Sequence, residues 1–313
     1  MDFIDFKTGQ DDLERRLDKV IRIFVPQMPL SLIYKNLRKK LIKVNNLKAE
    51  PDYRIQQNDI IQIADFLIND NDKRNVEIEA TPLQKNTASQ IKIKELIIFE
   101  NEHFLILNKP AGINVHSAKK AEISLESLVT DYYSSTRNNN SLSFKPGPLH
   151  RIDKYTQGII CFSMSTAGAQ WFSKNMKEHK IKKSYVAIVE GIVKASELWK
   201  DKIEKLDENG TRFHTVQINN EADAFSAKEC ITKITPIETF KEGSLFLTRV
   251  SFDIETGRQH QIRAQSAYHG YPLYGDTAYG GHKTSDNNGQ FYLQAQKIVF
   301  PKNELGLPEE ISI

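Results

Sequence analysis

"GPLHRIDKYTQGIICFS", residues 147–163, decides how this chain is read. A Gly-Pro pair opens the stretch, polar residues follow, and after Gly158 comes the unbroken apolar run Ile159–Phe162. A short apolar run bounded by turn residues is a buried strand, so the residues before it form a loop at the end of a sheet, where a side chain can be presented into a cleft. Asp153 stands in that loop with Arg151 and Lys154 beside it. Neighbouring cations favour the charged form of a carboxylate, and an ionised carboxylate so placed can act as nucleophile or base.

Nearly the same word occurs earlier, as "RRLDK" at 15–19. There the context differs. Leu17, Val20, Ile21 and Phe24 recur at helical spacing, and "PQMP" (26–29) stops the helix. Asp18 is therefore expected to be a salt-bridged surface acid on an amphipathic helix, with no part in chemistry. A second helix follows, capped by Ser31, with Ile33, Leu37 and Leu41 as its apolar stripe and Lys35, Arg38 and Lys39 on its outer face. "KVNN" and "DYRIQQNDIIQI" continue as short strands joined by Asn-rich turns.

Charge is distributed unevenly. The whole chain carries only +3, but residues 13–65 hold eleven Lys and Arg against six Asp and Glu. "LIYKNLRKKLIKVNNLK" (32–48) has six cations and no acid, the footprint of a phosphate-binding face. Residues 66–92 lose periodicity and gain Asn, Asp, Thr and Ser, as a linker does. Beyond it "ELIIFENEHFLILNKP" reads as a hairpin, "SYVAIVEGIV", "SLFLTRVSFDI" and "FYLQAQKIVF" read as strands, and helices interrupt them near 166–180 and 258–269. "STRNNNSLS" (135–143) reads as a mobile loop. The organisation expected is an α+β chain: an N-terminal unit over 1–65, a linker over 66–92, and a larger domain over 93–313 built on a mixed or antiparallel sheet.

Other classes are disfavoured. At 313 residues, 39% hydrophobic and 27% charged, the composition is that of a soluble globular protein. The N-terminus is acidic without an apolar leader, no stretch reaches the length of a membrane span, and a cytoplasmic location without a membrane partner is expected. Cys161 and Cys230 are far apart and form no C-x-x-C pair, so both are expected as buried thiols. His260, His269 and His282 lack the spacing of a metal site, and neither metal nor cofactor is expected. No obligatory protein partner is expected.

Four segments, in order, resemble the motifs of the RluA-type pseudouridine synthases. "NKPAGINVHS" (108–117) is similar to N-K-P-A-G-x-x-V-H-P, and "HRIDKYTQGIICFS" to H-R-L-D-x-x-T-S-G-L-L-L. "KKSYVAIVEG" (182–191) is similar to K-x-Y-x-A-x-V-x-G, and "TGRQHQIRAQSAYHGYPLYGDTAYGG" (256–281) to T-G-R-x-H-Q-I-R-x-H-x-x-x-x-G-x-P-x-x-G-D-x-x-Y-G. The N-terminal unit resembles an S4 RNA-binding domain, closest to the RluC branch, whose substrates are uridines of large-subunit (23S) ribosomal RNA. The resemblance implies a pseudouridine synthase fold and a cofactor-free isomerisation of uridine. Asp153 would be the essential carboxylate, acting on the ribose or on C6 of the base. Arg263 would pair with it, and Tyr185 would stack on the uracil. Arg151, with His150 beside it, would meet the RNA, as would Lys35, Arg38, Lys39 and Lys43. The chain departs from the pattern at Ile152 and Ile159 for leucine, Ser117 for proline, Gln265 for histidine, and Lys40 for the glycine of R-K-G. If that glycine normally takes positive φ, the turn at Lys40 is strained.

Three other readings remain. A tRNA-directed synthase of the same fold has less need of the N-terminal unit. A non-enzymatic RNA-binding ribosome-assembly factor has no need of "HRID", Tyr185 and Arg263 together. A glycoside hydrolase requires a second carboxylate beside Asp153, for which Glu255 or Asp276 would have to serve.

Overall fold

The computed structural model describes residues 1–68, 91–117, 123–137, 141–205, 216–221, 227–284 and 290–313. Most of the linker expected over 66–92 lies outside the described residues. The chain divides into two compact units, one of residues 1–91, 128–147 and 164–167, the other of residues 92–127, 148–163 and 168–313.

In the first unit, β1 (Phe3–Lys7), β2 (Ile42–Val44) and β3 (Ile60–Ala64) form an antiparallel sheet in the order β1-β3-β2. Helices α1 (Leu17–Phe24) and α2 (Leu30–Arg38) supply Leu17, Val20, Ile21, Ile33 and Leu37 to a core shared with Ile42, Ile61 and Ile63 of the strands. The apolar spacing that predicts the helices is thus the spacing that fills the core. Ser31 is not the cap of α2. Pro29, at φ −65°, occupies the N-cap position, and the helix has begun by Leu30. Lys35, Arg38 and Lys39 are exposed as expected. Lys43 is half-buried, its ammonium 4.1 Å from the centre of the Phe3 ring.

Asp18 is paired but is no surface acid, being only 4% exposed. Arg16 donates to it through Nε (3.1 Å) and Nη2 (2.8 Å), and the Tyr34 hydroxyl adds a third bond at 3.0 Å. Burial would raise its carboxyl, but these donors hold it below the usual carboxylate range. Asp12, fully buried, accepts from the amides of Gly9, Leu142 and Ser143 and from the Ser141 hydroxyl. The described end of the loop expected over 135–143 is therefore anchored, while Ser135 and Thr136 still belong to α4 (Leu125–Thr136). That anchoring groups 128–147 with the first unit.

The second unit is α+β. Helix α3 (Ile93–Leu96) leads into β4 (Ile97–Glu100) and β5 (Phe104–Lys109), the expected hairpin. After α4 come β6 (Gly147–Pro148), β7 (Gln157–Ser163), α5 (Thr166–Lys177), β8 (Lys182–Glu190), β9 (Glu197–Lys205), β10 (Val216–Ile218), β11 (Ala227–Glu242) and β12 (Leu245–Ile254). Helix α6 (Gln261–Tyr268), β13 (Leu293–Val299) and β14 (Glu310–Ser312) complete the order. Described residues build an eleven-stranded sheet in the order β10-β9-β11-β12-β8-β13-β7-β5-β4, with β6 on β7 and β14 on β13. The pairing of β13 with β7 is parallel; the other neighbours along this path pair antiparallel.

Strands β9 and β11 do not stand out in the sequence. Their outer faces are charged, and β11 carries Pro236 at a register shift, a residue that ordinarily argues against a strand. Cys161 and Cys230 are buried free thiols, 1% and 0% exposed.

Candidate active site

One rung of the sheet organises the site. Phe252 of β12 lies opposite Tyr185 of β8, Tyr185 opposite Ala295 of β13, Ala295 opposite Gly158 of β7, and Gly158 opposite Lys109 of β5. Gly158 has φ +105°, and a Cβ there would sit 2.3 Å from the Ala295 carbonyl oxygen. Only glycine lets the two parallel strands close at this point.

Lys109 is fully buried. Its ammonium donates at 3.0 Å to each of the carbonyls of Pro110, Ile113 and Lys154. Burial lowers its pKa to about 8, against the opposing charge of Asp153. This cation ties the "NKPAG" loop to the loop that carries Asp153, and the Gly112 amide reinforces the tie by donating to the Lys154 carbonyl at 2.8 Å. The Thr156 amide closes the Asp153 turn at 3.1 Å.

Asp153 thus projects from a loop fixed at both ends, its side chain 26% exposed. Nη1 of Arg263 lies 3.5 Å from its Oδ2, and Nε2 of His260 lies 3.8 Å from the same oxygen. Arg263 makes its close bonds elsewhere, through Nε to Asp276 Oδ2 (2.6 Å) and Nη2 to Asp276 Oδ1 (2.9 Å). Its guanidinium also lies over the Tyr279 and Phe291 rings, 4.7 and 4.6 Å from their centres. Burial alone would lower the Arg263 pKa, but Asp276 and then Asp153 raise it. The group is a permanent cation aimed in advance, with one edge turned to Asp153.

Helix α6 begins later than its sequence suggests. Gln261 folds its side chain back, accepting from the Thr256 hydroxyl (2.9 Å) and the Arg258 amide (3.0 Å), so Thr256–Gln259 stay outside the helix. His260 takes the N-cap position at φ +51°, a strained conformation for a residue with a side chain, and its Nδ1 lies 2.9 Å from the Tyr279 hydroxyl. Burial, outweighing Asp153, lowers its pKa and favours the neutral ring.

Two cavities of about 270 and 570 Å³ meet at Arg151, Ile152, Asp153, His260 and Arg263. Tyr185, Lys183, Ile254 and Leu293 line the smaller one; Asn114, Tyr155, Tyr279 and Phe291 line the larger. Asp153 sits on the wall they share. Tyr185 is 6% exposed, and burial, then Asp153, raises its hydroxyl pKa and keeps the phenol neutral.

The structure brings Asp153, Tyr185, Arg263 and Arg151 together. His150 also lines the smaller cavity, half-buried, with its ring tied into the fold. Its Nε2 accepts the Cys161 amide at 3.1 Å, and its ring stacks on Phe172 at 6.0 Å. Nδ1 must then carry the proton, is buried, and has no partner among the described residues. Burial, with Lys183 adding, pushes its pKa down to about 3. His150 secures the start of the loop to β7. Asp276 is equally committed, 2% exposed and bidentate to Arg263, which removes it as the free second carboxylate of a glycoside hydrolase. Lys109 and His260 are missed as site residues, and Asp276 is foreseen only as a possible hydrolase carboxylate, although each lies within one of the four motifs. Among the described residues no cluster of His, Cys, Asp or Glu has the arrangement of a metal site.

Residues 103–268 match the family model described as RNA pseudouridylate synthase. The ribosomal large subunit pseudouridine synthase C of Buchnera aphidicola (subsp. Acyrthosiphon pisum) is 30% identical over 94% of this chain and 89% of that protein. Its namesake in Rickettsia bellii is 28% identical over 96% of this chain and 94% of its own length. Among solved structures, human RNA pseudouridylate synthase domain containing 1 superposes with a TM-score of 0.55 at 19% identity, covering 74% of this chain and 85% of that one.

Proposed function

This chain belongs to the RNA pseudouridylate synthase family, and from that premise we propose that it isomerises specific uridines of large-subunit ribosomal RNA to pseudouridine. The observation that carries the reading is Asp153 on the wall between two cavities, its Oδ2 3.5 Å from an arginine already fixed by Asp276, with Tyr185 lining the smaller space. The names of the relatives spanning nearly the whole chain support the ribosomal target.

In this reading the target nucleotide leaves its stack to reach the cleft, since its glycosidic bond is otherwise inaccessible. Arg151, exposed at the rim of both cavities, occupies the place it vacates. Asp153 acts on the ribose, attacking C1′ or taking the C2′ proton, while the N1–C1′ bond opens. Arg263 holds the rotamer of the carboxylate from 3.5 Å away. Tyr185 stacks on the uracil, which turns so that C5 can join C1′. Atoms are conserved, so the reaction consumes no cofactor. The N-terminal unit serves as an S4-like RNA-binding domain, with Lys35, Arg38 and Lys39 toward phosphate.

The test is pseudouridine mapping, by carbodiimide modification and reverse-transcription stops, on ribosomal RNA from cells lacking the gene and complemented with wild type or Asp153→Ala. Stops that vanish on deletion and return only with wild type are expected. An unchanged ribosomal pattern overturns the target and directs the same mapping to tRNA. No change in either leaves a non-enzymatic assembly factor.

A further inference from the structure

The smaller cavity contains a cation that the reading above does not use. Lys183 precedes Tyr185 by two residues on β8, so both side chains leave the same face of the strand, and both line the cavity with Asp153. Three neighbouring cations are engaged, Arg263 with Asp276, Lys109 with three carbonyls, and Arg258 with the Glu229 carbonyl, while Arg151 stands exposed at the rim. Lys183 has no such acceptor among the described residues, and burial, partly opposed by Cys161, lowers its pKa. Room for the ammonium comes from Gly257, where a Cβ would lie 3.2 Å from Nζ. Placing an unpaired ammonium in a half-buried cleft is unfavourable unless an anion arrives there.

The surrounding walls indicate which anion. Tyr185, Ile254, Leu293 and Met176 are flat or apolar, suited to a nucleobase rather than to a phosphate. We propose that Lys183 is a catalytic residue that stabilises the departing uracil, its ammonium donating hydrogen bonds to the oxygens on which negative charge collects. This rests on the uridine-isomerase reading. When N1–C1′ breaks, its electron pair stays on N1 and spreads to O2 and O4, while C1′ is captured by the Asp153 carboxylate or the ribose loses its C2′ proton to it. Bond formation from C5 to C1′ uses electrons of the same anion; C5 then loses its proton and N1 gains one, the carboxylate or the C2′ proton being returned. Lys183 donates hydrogen bonds throughout and transfers no proton. A compact ammonium on a flexible stem can follow the oxygens as the ring turns, which the clamped Arg263 cannot do.

The test compares wild type, Lys183→Met and Lys183→Arg in single turnovers on large-subunit rRNA transcribed with uridine or with 4-thiouridine, whose sulfur carries negative charge with less need of a hydrogen-bond donor. Lys183→Met should lose about 10²–10³-fold on uridine, the scale of removing one charge-stabilising donor, with RNA affinity unchanged and a loss at least tenfold smaller on 4-thiouridine. Lys183→Arg, which restores charge, should recover most of the uridine rate whatever the thio substrate does. Equal losses on both substrates, equal rates for Met and Arg on uridine, or an effect confined to RNA affinity would overturn the proposal. A wild-type chain that isomerises no uridine overturns the underlying reading, and this proposal with it.

Discussion

Arg-Leu-Asp-Lys at 16–19 and Arg-Ile-Asp-Lys at 151–154 are almost one word, yet the two aspartates lead opposite lives. Asp18 is 4% exposed and accepts three hydrogen bonds, two of them from the arginine two places before it. Asp153 is not paired with its neighbouring Arg151 among the described residues. Its nearest cation is Arg263, at 3.5 Å, whose closer bonds go to Asp276. On α1 the backbone folds the arginine back onto the acid; on the extended loop before β7 it does not. The role of a carboxylate follows from how many of its lone pairs the fold has already filled, and the adjacent residues do not decide that.

Exchanging each acid for its amide separates the two roles most sharply. Asp153→Asn should lower the single-turnover rate by about 10⁴-fold or more, as removal of a reacting group does, while its denaturation midpoint stays near wild type. Asp18→Asn should do the reverse, keeping the rate at saturating RNA and losing about 2–3 kcal/mol of stability as a buried charged hydrogen-bond acceptor is replaced. Because the Asp18 carboxyl is held below its unfolded value, its stabilisation is complete above about pH 4 and fades as pH falls through the folded pKa. The denaturation midpoint of the Asn variant should accordingly converge on that of wild type in acid. A stable Asp18→Asn, or an unstable Asp153→Asn, would erase the contrast.

Asp276 tests whether prior commitment of Arg263 matters. Asp276→Asn keeps the shape but weakens the fork, and a guanidinium free to move toward Asp153 should cost about 10²-fold in rate, the scale of an ångström of misplacement. RNA affinity should stay unchanged, and the pH–rate profile should shift because the charge around Asp153 has changed. A variant with reduced folding but a normal profile would make Asp276 a scaffold residue only.

Much of this arrangement is legible in the sequence, and the rest is hidden for specific reasons. The apolar run after Gly158 marks β7 because burial on both faces requires an unbroken run. Leu17, Val20 and Ile21 mark α1 because one face of it meets the core. The cap of α2 is misread because proline fixes the φ that an N-cap needs without offering a side-chain acceptor, so Ser31 attracts the assignment. Lys109 is invisible as a site residue because the Lys154 carbonyl that fixes it lies 45 residues on, and Asp276 is legible only as a possible second carboxylate because its bond to Arg263 is made by the fold of the intervening helix and loop. Local composition also cannot show that His150 spends Nε2 on a strand amide.

A smaller effect is expected from the basic face. Replacing Lys35, Arg38, Lys39 and Lys43 with alanine should weaken RNA binding and reduce the slope of log affinity against log salt by about 0.7–0.9 for each lost phosphate contact. Saturating single-turnover rates should not change. Since Lys43 lies over Phe3 while the other three are exposed, the Lys35, Arg38 and Lys39 triple should account for nearly all of the slope. An unchanged slope would make these cations a solvated face, and the N-terminal unit would lose its part in RNA recognition.

The smallest effect concerns Lys40, where structure and charge pull apart. The Leu41 amide donates to the Asn36 carbonyl (2.9 Å) and the Lys40 amide to that of Leu37 (3.1 Å), closing α2 with the pair of bonds that ends many helices on a left-handed residue. Lys40 takes that position at φ +59°, where glycine is the usual occupant. Relief of the strain is worth about 1–2 kcal/mol, against about 0.5–1 kcal/mol for the added freedom of glycine in the unfolded chain. Lys40→Gly should therefore stabilise the protein by about 0.5–1 kcal/mol, and Lys40→Asn, which tolerates the same backbone, should be nearly neutral to slightly stabilising. If both variants also shallow the salt slope, the fold is holding a cation in a strained position for the sake of RNA. Stabilisation with an intact slope would mean that the strain serves nothing in binding.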